Sequence, residues 1–428
     1  MKAIFWFRRD LRLEDNRGLF EALTRHDSVM PVFIFDPSIL NHLDRDDARV
    51  TFIWDQLKEL DQRLIARGSG LKVGLGDPVE VMAKWVQGAG ITDVFANRDD
   101  EPDTMQRDET CRLALEHMGA QLHLFKDKAI FERGDIVTSD GSDFRVFTPY
   151  QRAWCAALPH QLELFPSESM LHRLDPSPPE WEVKDLSDLG FSRSAISVSP
   201  AKVDPDQIAR YAQDRDSPGI KGTTQLGIHL RFGTVSTRKL VSLARDISDV
   251  FLAELIWREF FQQHLYHHPT ITHLEFKERF RQFPWQHDEE AFVRWCDGTT
   301  GFPLVDAGMR QLNQTGFMHN RVRMVVASFL TKDLIIDWRW GERYFARKLL
   351  DFELASNCGN WQWVAGCGCD AAPYFRIFNP ELQAVKFDPD QTYIKQWVPE
   401  LGTKRYPMPM VDHAWARKRA LACYRNLT

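Results

Sequence analysis

The chain has 428 residues, 43% hydrophobic and 27% charged, with a formal net charge of −6. This is an ordinary globular balance, too long for one core, and it predicts two domains. The charge offers no global argument for nucleic acid, although phosphate contacts are local and need not show in a total. No stretch of roughly eighteen apolar residues provides a membrane span, and the opening residues lack a signal-peptide pattern. A cytoplasmic monomer is therefore the expectation. The seven cysteines do not form a disulfide framework, and Cys358, Cys367 and Cys369 lack the C-x-x-C spacing of common zinc sites. They read as reduced thiols, and no metal is assigned.

In chain order, candidate strands are Ala3–Phe7, Val32–Phe35, Leu71–Leu75, Asp93–Ala96 and Gln121–Phe125. Val50, Ile53, Leu57, Leu60 and Leu64 recur at spacings of three and four, one face of a helix. Asp77-Pro78-Val79-Glu80 reads as an N-cap, a first-turn proline and the acid of a capping box. A further helix is predicted from Thr104 to Met118. Strands alternating with helices imply an α/β doubly wound parallel sheet over residues 1–130. The first strand leads into Arg8-Arg9-Asp10-Leu11-Arg12 rather than a G-x-G-x-x-G dinucleotide fingerprint. Residues 131–205 read as an interdomain linker, with prolines at 159, 166, 176, 178, 179, 200 and 205 and little periodicity. Residues 206–428 are dominated by helical patterns and are assigned to an all-α domain.

Three helical segments carry chemistry that a plain core does not need. Glu254, Trp257 and Arg258 share one helix face, an acid, a flat ring and a cation suited to a planar hydrogen-bonding ligand. A surface ion pair beside a packed Trp would use the same residues. Asn320, Arg323 and Met324 share a second face, where an amide can donate and accept and a buried Arg needs an anionic partner. Asn357 and Trp361 stand one turn apart, with Gly359 between them and Trp363 beyond. From Arg310 to Lys348 eight Lys or Arg stand against three acids, either a basic surface or a solvated helix face.

Together these pieces resemble the photolyase/cryptochrome flavoproteins, most closely the class I-type cyclobutane pyrimidine dimer photolyases. The resemblance runs from Phe5-Trp6-Phe7-Arg8-Arg9-Asp10-Leu11-Arg12 to about Leu401. Its strongest parts are Trp257-Arg258-Glu259-Phe260, Gly301 to Arg310, Met318 to Met324, Asn360-Trp361-Gln362-Trp363 and Asp370 to Pro380. Their order and spacing carry more weight than any one of them.

The resemblance implies a U-shaped FAD held by the helical domain, damaged DNA as the partner, and light-driven splitting of pyrimidine dimers. Tyr211, Thr223, Thr224, Gln225, Leu226 and Gly227 match the phosphate-gripping segment, with Gly227 where many relatives have Ser. Arg323, Asp351, Glu353 and Asn357 match the flavin surroundings, Asn357 facing flavin N5. Asp or Cys at that place is typical of cryptochromes, so Asn357 favours repair over signalling. Glu254 would bond the dimer, Asn320 would contact it from the other side, Trp257 would stack on it, and Met324 would line the pocket. Six-four photolyases usually carry His where Asn320 stands. Trp361, Trp338 and Trp285 match an electron-transfer chain. Arg215, Arg258, Arg321 and Arg376 stand where the DNA backbone could be gripped. The N-terminal domain in this family often holds an antenna chromophore, such as a folate or a deazaflavin, near Asn97 to Pro102; the Asn-Glu pair that marks folate binders is not evident, as Asp103-Thr104 occupies that stretch, so the resemblance leaves open which antenna is held, or whether one is. A blue-light photoreceptor and a six-four photolyase are the alternatives. The chain's short extension past Leu401 argues for the enzyme.

Overall fold

The computed structural model describes residues 2–425 and 427. The chain divides into two compact units. Unit 1 gathers residues up to Asp135, Leu158–Lys202 and Leu226–Leu243; unit 2 gathers Ile136–Ala157, Val203–Gln225 and the chain from Ala244 onward.

Unit 1 is built on six parallel strands: β1 Lys2–Phe7, β2 Ser28–Phe35, β3 Lys72–Leu75, β4 Asp93–Asn97, β5 Gln121–Phe125 and β6 Glu180–Trp181. Their order is β5-β4-β1-β2-β3-β6. β1 is buried from Ala3 to Phe7, as a strand covered on both faces by helices must be. The predicted helices appear as Ala48–Ile65, Pro78–Ala89 and Pro102–His117. Val50, Leu57, Leu60 and Leu64 are buried, and Asp77 caps the second helix by accepting from Val79 and Glu80 N–H at 2.8 and 3.2 Å. The expected linker is divided between the units and has structure of its own: the helix Phe147–Ala157 in unit 2 and β6 in unit 1. The helical stretch beyond 206 likewise lends Leu226–Leu243 to unit 1.

The strand order reverses at the carboxyl ends of β1 and β4, where open α/β sheets ordinarily bind ligands. Here charged side chains pair with one another beyond those strand ends. Arg8 bonds Asp108 and the Asn97 carbonyl. Arg9 pairs with Asp99 at 2.8 Å and Glu101 at 2.6 Å, and Arg231 also reaches Glu101 at 2.6 Å. Burial works against ionised Asp99 and Glu101, yet Arg9 and Arg231, with Lys128 at Asp99, hold both carboxyls below their ordinary range. Asn97 Oδ1 accepts from Gly18 N–H at 2.9 Å; a Cβ on Gly18 would sit 2.8 Å from that oxygen, so the close approach requires glycine. Within the stretch 97–102, beside which an antenna was expected, Arg98 and Asp100 line a small cavity with Lys126, Phe131 and Arg133.

A second buried network lies behind it. Asp127 accepts from Arg12 at 2.7 Å and Arg238 at 2.8 Å, while Arg238 also bonds Asp15 at 3.1 Å. All four side chains are buried.

Unit 2 is helical. Pro303–Thr315, Asn320–Ser328, Trp338–Lys348 and Leu354–Ala365 enclose one apolar core around Trp295, Trp338 and Trp361, and the helix Asp249–His267 packs on Leu354–Ala365. Ser248 Oγ accepts from Phe251 N–H at 3.3 Å and Asp337 from Arg339 N–H at 2.9 Å, capping two of these helices. Two glycines set how closely the helices approach. A Cβ on Gly359 would fall 2.2 Å from Phe261, and one on Gly341 would fall 2.1 Å from Trp361. Among the described residues no helix is long and apolar enough to cross a membrane.

Asp127→Asn leaves two buried guanidinium groups short of a counter-charge and is expected to lower unfolding free energy by about 3 kcal/mol at neutral pH. Burial opposes the Asp127 charge, but Arg12 and Arg238 hold its pKa below the ordinary value. A depressed carboxyl stabilises above its unfolded pKa and loses that contribution as pH falls through the folded one. The gap between wild type and variant should therefore narrow below about pH 4. Denaturant titrations at neutral and acid pH measure it.

Candidate active site

Two cavities in unit 2 share a wall. The first is lined by Arg323, Asp351, Glu353, Asn357, Trp361 and apolar neighbours that include Phe345. The second, of about 390 Å³, is lined by Arg215, Glu254, Trp257, Arg258, Arg321 and Trp363 among others. Asn320, Met324, Ser356 and Asn360 line both. The wall is therefore one layer of side chains, contributed by the helices Asn320–Ser328 and Leu354–Ala365.

In the first cavity Arg323 pairs with Asp351 at 2.9 and 3.2 Å and donates to the Met318 carbonyl at 2.7 Å. This Arg–carboxylate pair was expected to be buried; its side chains keep 24% and 20% of their surface exposed. Asn357 Nδ2 donates to the Glu342 carbonyl at 3.0 Å and to Glu342 Oε1 at 2.8 Å. A carbonyl oxygen can only accept, so the amide nitrogen must face Glu342, and Oδ1 is the amide's remaining polar atom. Burial raises the Glu342 carboxyl, with the Asn357 and Cys358 hydrogen bonds acting against it. Aromatic rings, an acceptor, a guanidinium and carboxylates at the edge suit a flat heterocycle with a hydrogen-bonding rim.

In the second cavity Glu254 meets Arg215 at 2.7 Å. Its side chain is 30% exposed, yet the surrounding protein raises its pKa by desolvation, opposed by Arg215. Trp257 is stacked on Phe147 at 3.6 Å between centroids and 6° between planes, so one indole face is fixed from behind. Arg321 pairs with Asp216 at 2.6 Å and lies over Phe387 at 4.3 Å.

One ion pair ties the two linings together. Arg258 holds Glu353 through two hydrogen bonds of 2.9 Å, and Gln262 donates to the same carboxylate at 2.9 Å. Arg258, expected at the DNA backbone, and Glu353, expected at the cofactor, are partners of each other.

The remaining expected residues are dispersed. Trp338 is fully buried at the start of its helix within the core that holds Trp361, and the half-buried Trp285 packs against that core and on Phe283 at 4.2 Å. Tyr211 packs edge-on to Phe251 at 5.1 Å, outside these two cavities. Thr223, Thr224 and Gln225 end a segment of unit 2, and Leu226 and Gly227 begin one of unit 1. Gln225 has φ +53°, in the left-handed region uncommon for a residue with a side chain. Arg376 is exposed, and its carbonyl accepts from the buried Lys332 amine at 2.7 Å. The basic run from Arg310 to Lys348 is largely paired internally: Arg310 with Glu400 at 2.7 Å, Arg323 with Asp351, and Arg339 with Glu275 at 2.7 Å. Phe147 and Glu342 were not found by sequence reasoning. Both act on site residues from distant positions, and neither lies in a motif.

Residues 3–168 match the family described as DNA photolyase, and residues 251–405 match the FAD binding domain of DNA photolyase. The chain is 37% identical to the deoxyribodipyrimidine photo-lyase of Vibrio cholerae over an alignment of 464 positions covering 99% of each. A bacterial class III photolyase from Agrobacterium tumefaciens superposes with a TM-score of 0.85 at 34% identity, over 100% of this chain and 97% of that one. A Synechocystis cryptochrome superposes with a TM-score of 0.86 at 25% identity, over 99% of each. A match along nearly the whole length, at this identity, means that the chain belongs to the DNA photolyase family.

Proposed function

We propose that this protein is a light-driven DNA repair enzyme that reverses cyclobutane pyrimidine dimers. The observation that carries the reading is the wall shared by the two cavities: Asn320, Met324, Ser356 and Asn360 line both. A cofactor ring on one side and an extruded lesion on the other would be separated by a single layer, the short range that electron transfer needs. Enzymes that act on bases inside a duplex take the target out of the stack, and the second cavity is open enough for such a group.

FAD, when bound, supplies the light absorption and the electron that opens the cyclobutane ring, and it takes the electron back afterwards. Arg323, Asp351 and Asn357 would hold its ring edge. Asn357 suits a reduced ring in particular, because Glu342 occupies its amide nitrogen and leaves an acceptor for a ring N–H. Tyr211 and the turn from Thr223 to Gly227 would hold the phosphates. On the lesion side Trp257, braced by Phe147, offers an apolar face. Glu254 is placed to bond the carbonyl or N–H edge and to stabilise charge arriving there. Asn320 and Met324 would touch the dimer from the shared wall. Arg215, Arg321 and Arg376 would grip phosphates, giving affinity and salt dependence rather than sequence preference. Arg258 acts indirectly, through Glu353. Trp361, Trp338 and Trp285 would return an oxidised flavin to its active state under light.

Two related activities differ at single positions. Asn320 favours dimer repair over six-four repair, and Asn357 favours repair over a photoreceptor role. For an antenna, unit 1 has a cavity of about 470 Å³ lined by Thr51, Phe52, Arg63, Arg193, Ser194 and His229, among others. A folate or a deazaflavin is the ligand we assign to it, since it is larger than the cavity lined by Arg98 and Asp100.

Purified protein loaded with FAD should restore dimer-containing oligonucleotides under near-UV or blue light and not in darkness. No restoration in either would favour the photoreceptor, and an action spectrum following flavin alone would remove the antenna. Glu254→Ala should lower repair yield by about tenfold, roughly 1.4 kcal/mol, while FAD content is kept. Trp361→Phe should abolish photoreduction and leave repair by pre-reduced enzyme nearly intact; the opposite pattern would exchange their roles. Arg258→Met leaves Glu353 buried without its cation, and should cost about 3 kcal/mol of stability besides weakening repair. A loss of DNA affinity at unchanged unfolding midpoint would return Arg258 to the phosphate contacts.

A further inference from the structure

We propose that Asp143, His264 and His268 form a binding site for one divalent transition-metal ion of the zinc class. One potential ligand atom from each residue lies within 4.8 Å of those of the other two. His264 and His268 stand one turn apart where the helix Asp249–His267 ends. Asp143 comes from the segment just before the helix Phe147–Ala157. His268 Nε2 and Asp143 Oδ2 already meet at 2.8 Å.

The second observation concerns His264. It is 3% exposed, and its buried Nδ1 has no hydrogen-bond partner, although buried polar groups are nearly always satisfied. Its ring lies 4.7 Å from Phe276 and 5.0 Å from His268, between centroids. An imidazole pair at i and i+4 with one carboxylate is the donor set of three-ligand zinc sites that keep a fourth position open. Calcium and magnesium prefer oxygen ligands and are disfavoured by two imidazoles. Around a tetrahedral ion bonded at about 2.1 Å, donor atoms stand about 3.4 Å apart, so small side-chain rotations close the set. Arg145, whose guanidinium lies over Phe276 at 5.9 Å, repels a cation and moderates the affinity.

The ion would join the segment 137–146 to the end of the helix that carries Trp257. Asp143 lies four residues before Phe147, the ring stacked on Trp257, so the clamp steadies the lesion-side wall from behind. Whether the site binds metal does not depend on the repair reading, and its test does not read repair.

Full-length protein loaded with FAD and stripped of metal by a chelator is dialysed to equilibrium against zinc, and bound metal is measured by elemental analysis. Wild type should take up one equivalent. Asp143→Asn and His268→Gln, both at half-buried positions, should bind at least tenfold more weakly while retaining full FAD content. Zinc should raise the unfolding midpoint of wild type alone and slow tryptic cleavage after Arg145. No zinc uptake by wild type, or wild-type affinity in both variants, overturns the proposal. If the variants fail to fold, anomalous diffraction from zinc-soaked wild-type crystals decides it: a peak among the three side chains supports the site, and a peak elsewhere or none overturns it.

Discussion

The pairing of Arg258 with Glu353 sets the register of the two helices on which the site depends. The helix Asp249–His267 carries Glu254, Trp257, Arg258 and Phe261; the helix Leu354–Ala365 carries Ser356, Asn357, Asn360, Trp361 and Trp363. Glu353 stands at the N-cap of the second helix, yet its side chain makes no cap hydrogen bond. It grips Arg258 and Gln262 instead. Gly359 lets the two helices meet with Phe261 against bare backbone. Contact without the ion pair would leave rotation and slide undetermined, and the ion pair could not form at the separation a larger residue at 359 would impose. A bidentate guanidinium–carboxylate pair specifies direction as well as distance.

The same logic recurs around the site. Side chains that line the two cavities are oriented by partners that line neither. Asn357 is turned by Glu342, Trp257 is backed by Phe147, and Trp361 lies against Gly341. Each partner removes a rotational freedom that the site would otherwise have to restrict on binding its ligands. In unit 1 buried ion pairs likewise fix the residues that follow β1 and β4 at the switch point of the sheet. A larger cavity of that unit lies beside the helix Ala48–Ile65.

Much of this was legible in the residues. Alternation of apolar strands and helical stripes identified five of the six strands in unit 1, because period and turn chemistry are local properties. β6 escaped because two residues in a proline-rich stretch have no periodicity; Glu180 and Trp181 become a strand only by pairing with Lys72 and Val73. The site residues on one helix face, such as Glu254 with Trp257 or Asn320 with Met324, followed from spacing. Whether a charge faces solvent or a partner did not. Arg310, Arg323 and Arg339 looked like a basic surface by count, and each is paired with an acid elsewhere in the chain.

By itself the sequence determined which segments are helix or strand, which faces are apolar, and which motifs place the chain among photolyases. Only the tertiary structure decided that two cavities share one wall, that Arg258 belongs to Glu353, and that Asn357 presents its oxygen. The reason is physical. Helix and strand are written in contacts a few residues apart, whereas these pairings join positions far apart in the chain, whose distance and orientation exist only once the helices have packed.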